Sequence, residues 1–135
     1  MKFALFSIIT GTTWDAVRRL WEHGDRTGWD AACLSDHFMP NTADRLGDTL
    51  ECWTTLASLA TVVHRMRVGT IVAGNTYRHP AVLAKMAANV DVVTGGRLIC
   101  GMGAPGGRRT STRPTGSRST RSGSGWPGST RLARC

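Results

Sequence analysis

Residues 65–102 read RMRVGTIVAGNTYRHPAVLAKMAANVDVVTGGRLICGM, and a change of period inside this stretch decides the fold. A β-branched, apolar run from Arg67 to Val72 comes first. Pro80 then stands at a first helical position, Leu83, Met86, Ala87 and Val90 recur on one helical face, and Gly95 and Gly96 supply the stop. A second apolar run, Arg97 to Met102, follows. Strand, helix and strand thus fit close to the roughly 30 residues of one βαβ unit.

The same alternation extends toward the N-terminus. Lys2 to Ile8 is a nearly continuous apolar run, the pattern of a strand covered on both faces. Thr12 or Thr13 can cap a helix in which Val17, Leu20 and Trp21 share a face and Gly28 ends the turn. WDAACLSDHF, residues 29–38, reads as a strand running into a loop, and residues 38–49 form a polar connection with Pro and Gly. From Leu50 to His64 the spacing of Trp53, Leu56, Leu59, Ala60 and Val63 predicts a helix capped by Asp48 or Thr49. Repeated βα alternation demands right-handed crossovers and a parallel sheet. The fold class is therefore α/β: a small doubly wound sheet, or the N-terminal half of a (β/α)8 TIM-type barrel with about four βα units.

Charge divides the chain where its pattern changes. The formal net charge is +8 over 135 residues. Residues 1–104 hold ten Lys or Arg against nine Asp or Glu, whereas residues 105–135 hold seven Arg and no acid. The expected organisation is one domain over 1–104 and a disordered Arg/Ser/Thr/Gly-rich tail over 105–135. Seven arginines can contact phosphates, so nucleic-acid binding through the tail is the competing reading from another functional class. The tail has no lysine, no amphipathic period and no recognisable module, which argues against it. Cys33, Cys52, Cys100 and Cys135 lack C-x-x-C spacing, and the first three lie in apolar segments suited to buried thiols, so no metal is assigned. The opening MKFALFSII lacks a cleavage pattern and no run reaches the roughly 20 apolar residues of a membrane span, so a cytoplasmic protein is expected.

Ser35, Asp36, His37 and Phe38 follow the second strand, where α/β sheets and barrels build ligand sites. A carboxylate beside an imidazole can orient it, and His is suited to moving protons near neutral pH. A capping Asp beside an exposed loop His is the other reading of the same spacing. After the third strand, Gly74 would let a flat ligand approach the backbone, with Asn75 and Thr76 as hydrogen-bonding groups at its rim. An ordinary βα loop leading to Pro80 stands beside that reading, with His79 structural. CGMGAPGG, residues 100–107, lacks the Walker lysine and a following helix, which disfavours a phosphate loop.

Taken together, MKFALFS, GWDAACLSDHF and residues 50–104 resemble the start of a luciferase-like flavin-family protein, most of all its coenzyme F420-dependent oxidoreductases. The resemblance implies a (β/α)8 barrel holding F420, or alternatively FMN, at the C-terminal ends of its strands, and an enzyme that acts on a small-molecule substrate and is a homodimer in its intact form. It implies that Asp36 contacts the deazaflavin and that His37 exchanges a proton with the substrate while hydride passes to or from the ring. It implies that Ile71 to Gly74, with Val72 between them, form the bulge under the ring, with a non-proline cis peptide near Ile71 and Val72. Gly103 and Ala104 resemble the start of the fourth-strand loop lining the same pocket.

Beyond Ala104 the resemblance stops. With one extra base and GC-rich codons, the residues from Ala104 onward can be read as AGWQADEHAAYGIE, and Gly123 to Leu132 as ERLARLDEA in the same shifted frame. Both strings suit the family, so the expectation is a truncated barrel with an out-of-frame tail that is itself inactive.

Overall fold

The computed structural model describes residues 1–40, 47–103 and 131–133. Its elements run β1 (Ala4–Ser7), α1 (Trp14–Thr27), β2 (Ala31–Leu34), α2 (Cys52–Val62), β3 (Arg67–Gly74), α3 (Pro80–Thr94), β4 (Leu98–Gly103) and β5 (Arg131–Ala133). The helices start and stop on local chemistry. Thr13 Oγ1 accepts from Ala16 N at 3.2 Å to cap α1, and Gly28 ends it with φ of 95°. Gly95 ends α3 with φ of 65°, and His79 Nδ1 accepts from Ala81 N at 3.3 Å at its start. The cap of α2 differs from expectation: Glu51, not Asp48 or Thr49, accepts from Thr54 N at 2.7 Å.

Strand order separates the two architectures left open by the alternation. The described sheet runs β1-β2-β3-β4-β5, and β1 to β4 are parallel. A doubly wound sheet reverses its order at a switch point, whereas a barrel adds each strand beside the last. Residues paired across the sheet point to the same side. The rows Leu5, Ala32, Val68, Leu98 and Ser7, Leu34, Thr70, Cys100 face the helices. They join the faces of α1, α2 and α3 in one core around Trp21, Trp53, Leu56 and Leu59, all at most 1% exposed. All three helices therefore cover the same side, the arrangement of half a (β/α)8 barrel.

No described helix or strand covers the opposite side, and at β1 this corrects the reading of a strand sealed on both faces. Phe6 is 54% exposed, and Ile8 just beyond the strand is 62% exposed. An apolar run looks the same whether its second face meets a helix layer or a barrel interior.

The tail expectation falls largely outside the described residues. Arg131–Ala133, however, are not unpaired: they lie antiparallel on β4, with Cys100 opposite Ala133 and Met102 opposite Arg131. For those three residues the expected disorder is replaced by strand pairing.

Candidate functional site

The C-terminal ends of β2 and β3 bring the main sequence candidates to one rim. Asp36 and His37 leave β2, while Ile71 to Gly74 end β3. The Ile71–Val72 peptide is cis, and the register of β3 on β4 shifts between Thr70 and Ala73, around that bond. Thr70 is fully buried on the helix side; Ile71, one residue on, is 43% exposed on the uncovered side. Beyond the strand, Asn75 N donates to Gly103 O at 3.1 Å, joining the rim to β4. Asn75 and Thr76 are exposed in the turn. Ala104 lies outside the described residues.

Asp36 is the most enclosed group there. Its side chain is 0% exposed, and Oδ2 accepts from Gly74 N at 3.1 Å. Arg78 grips the same carboxylate with both guanidinium nitrogens, Nη1 to Oδ2 at 2.6 Å and Nη2 to Oδ1 at 3.1 Å. Such a fork matches carboxylate geometry and is stronger than a single contact. Nη2 of Arg78 also donates to Glu51 Oε1. The carboxylate that the resemblance assigns to the deazaflavin is thus held by the protein's own groups. Burial opposes the charge on Arg78, but Asp36 and Glu51 outweigh it and raise its pKa further above the usual guanidinium value. Burial likewise opposes ionisation of Glu51, and the hydrogen bonds from Thr54 and Arg78 overcome it, holding Glu51 below the ordinary carboxylate range.

Aromatic contacts complete the cluster. Phe38 stacks on Tyr77 with ring centroids 4.5 Å apart, and the Arg78 guanidinium carbon lies 5.4 Å from the Phe38 centroid. Gly74 is closely packed on its own turn. A Cβ there would come within 2.6 Å of the Tyr77 ring, so the missing side chain makes room for Tyr77. At Gly103 a Cβ would meet Val72 Cγ2 at 2.6 Å, so this glycine seats the residue after the cis bond.

His37 is half-buried between Asp36 and Phe38 and makes no hydrogen bond with the described residues. Ser35, 5% exposed, has a buried Oγ without a hydrogen-bond partner among the described residues. Arg78, Glu51 and Tyr77 were not legible as site residues. Arg78 lies 42 positions from Asp36, and its only local sign is a single cation in the turn before Pro80.

Cys33 and Cys52 are buried free thiols, and Cys100 is buried as well. Among the described residues no cluster of three or more His, Cys, Asp or Glu is arranged to hold a metal. No described helix is long and apolar enough to cross a membrane.

Comparison with known proteins points the same way as the topology. The sequence model of the luciferase-like monooxygenase family matches residues 1–133. An F420-dependent glucose-6-phosphate dehydrogenase from Amycolatopsis mediterranei (strain U-32) is 31% identical over 80 residues, 58% of this chain and 24% of that protein. An F420-dependent secondary alcohol dehydrogenase, solved in complex with an F420-acetone adduct, superposes with a TM-score of 0.69 at 16% identity, covering 75% of this chain and 31% of that one. The oxygenating constituent of 3,6-diketocamphane monooxygenase from the CAM plasmid of Pseudomonas putida, in complex with FMN, gives 0.68 at 19% identity over 82% of this chain and 31% of that one. The chain spans about a quarter to a third of the length of these relatives.

Proposed function

The chain belongs to the luciferase-like monooxygenase family, and from that premise we propose that its strand ends form the first part of a coenzyme F420 site for hydride transfer to or from a small organic substrate. The observation that carries this reading is the placement of His37 and the Ile71 to Gly74 strand end on one rim, at the C-terminal ends of adjacent parallel strands.

The residues at the rim suit a flat, partly polar ring. Ile71 offers an exposed apolar side chain on the face opposite the helices, and Ser35 holds a buried hydroxyl, without a partner among the described residues, at the end of β2. Ile71 and Val72 would bear the ring, Asn75 and Thr76 would meet polar groups at its edge, and Gly103 with Ala104 would border the pocket. Asp36 serves by holding Gly74 and Arg78 in place. When bound, a deazaflavin supplies the hydride donor or acceptor. His37 would hold or release the proton that balances hydride transfer, and its neighbours would orient it and exclude water.

FMN in the same place is the second reading, favoured by the likeness in fold to an FMN-bound monooxygenase. We further propose that residues after Ala104 are a shifted reading of the family sequence and that this chain turns over no substrate alone, because the face carrying Phe6 and Ile71 is open to solvent. Sequencing the coding DNA across codons 100–110 tests the first point. For the site, F420 and FMN are titrated separately into wild-type chain and His37→Ala with the cofactor's fluorescence as readout. Saturable binding of one cofactor by both chains, without turnover, is expected. Binding of neither refutes the site.

A further inference from the structure

We infer that Arg78 is the positioning residue of this rim, holding His37 by gripping the residues on both sides of it. Asp36 precedes His37 and takes the two-pronged contact from Arg78; Phe38 follows His37 and lies under the same guanidinium. Two neighbours of Arg78 on the β3 side tighten the grip. Gly74 N donates to Asp36, and the Tyr77 ring stacks on Phe38. The segment Gly74–Arg78 therefore clamps Asp36 and Phe38 from one side, and His37 is the member of the tripeptide left without such a contact among the described residues. A third attachment, to Glu51, fixes the clamp to the N-terminus of α2, since Glu51 caps that helix.

The charges around Arg78 explain why arginine is needed. Asp36 is wholly enclosed and must be neutralised, a task that a lysine could also perform. Only a planar fork reaches Asp36 twice and Glu51 once while lying beside an aromatic ring. The fork thus couples three segments that meet nowhere else in sequence, the β2 end, the β3 turn and the α2 start, into one rigid edge. What that edge is for rests on the function proposed above; that Arg78 makes it rigid does not.

The test uses the complete 135-residue chain with Arg78→Lys and Arg78→Met, and Arg97→Met as a control. Arg97 is a comparable half-buried anchor at the other end of the sheet, where its guanidinium donates to Val63 O at 2.9 Å and also to Met66 O and Thr94 O. Amide exchange at Gly74 and the imidazole NMR signal of His37 are read in each, beside urea midpoints, and F420 and FMN are titrated into wild type. Arg78→Lys should keep most of the stability yet speed exchange at Gly74 by about tenfold and move the His37 signal. Arg78→Met should do both and lower the midpoint, and Arg97→Met should lower the midpoint while leaving the His37 signal in place. The inference is overturned if Arg78→Lys leaves both rim signals as in wild type, or if Arg97→Met moves them equally. Failure of wild type to bind either cofactor refutes the functional reading alone, because the rim signals are measured without cofactor.

Discussion

Arg78 and Asp36, 42 residues apart in sequence, meet through two hydrogen bonds of 2.6 and 3.1 Å with the Asp36 side chain fully enclosed. This contact ties the end of β2 to the turn after β3 beyond Leu34 and Thr70, the last residues paired in the ladder between those strands.

Removing one partner strands the other. Asp36→Leu alone should cost about 3–5 kcal/mol, as is usual when half of a buried ion pair is lost. The double variant Asp36→Leu/Arg78→Met should cost clearly less than the two single changes added together. Urea denaturation of the four chains measures the cycle, and strict additivity would show that the pair is not coupled.

The two enclosed tryptophans should respond differently to the same substitution. Trp21 Nε1 donates to Ser7 Oγ at 2.9 Å, whereas Trp53 Nε1 has no partner among the described residues. Both rings are at most 1% exposed, so the packing lost on Trp→Phe is comparable. Trp21→Phe also leaves a buried hydroxyl unpaired and should cost about 1–2 kcal/mol more than Trp53→Phe. Equal midpoints for the two variants would contradict the Ser7 contact.

Acid should weaken the junction between α1 and β3. Asp25 accepts backbone hydrogen bonds from His64 at 2.9 Å, Arg65 at 3.0 Å and Met66 at 2.7 Å. Burial pushes its pKa up, but those amides together hold it below the ordinary 3.8. A depressed folded-state pKa means a stabilising contribution that is complete above the unfolded value and is lost as pH falls through the folded one. Stability should therefore drop below about pH 4, and Asp25→Asn should flatten that part of the profile. An unchanged slope between pH 2 and 5 in the variant would count against this assignment.

Thiol chemistry should report global opening. Burial pushes the Cys33 thiol up to about 11 despite the nearby Arg67, and burial with the charges of Asp36 and Glu51 raises Cys52 further. At pH 8 only about one Cys33 in a thousand is thiolate. Cys33 and Cys52 should resist a thiol reagent in the native chain and react at once in urea. Rapid native labelling, located by mass spectrometry, would show that the core is open.

Local signals in the sequence were reliable where the cause is local. Gly28, Gly95 and Pro80 mark helix ends because φ values and missing amides act within one turn. Glu51 was passed over because Asp and Thr are the better cap types; its longer side chain caps α2 while its other oxygen meets Arg78, a partner 27 residues away. The choice between two α/β architectures needed strand order, which periodicity does not contain. The position of the cis peptide came from family resemblance, since nothing in the residues Ile71 and Val72 themselves requires it. The clamp around His37 was invisible for the same reason as the Glu51 contact, because its members converge only after folding.

The short strand on β4 makes the sheet lopsided. With Arg131–Ala133 along the outer side of β4, the edge strands among those described are the four-residue parallel β1, beside the exposed Phe3 and Phe6, and the three-residue antiparallel β5. Three residues of backbone thus give the described sheet two unlike edges, a parallel one at β1 and a short antiparallel one at β5, and a short edge strand offers a second chain fewer unpaired amides than a long one.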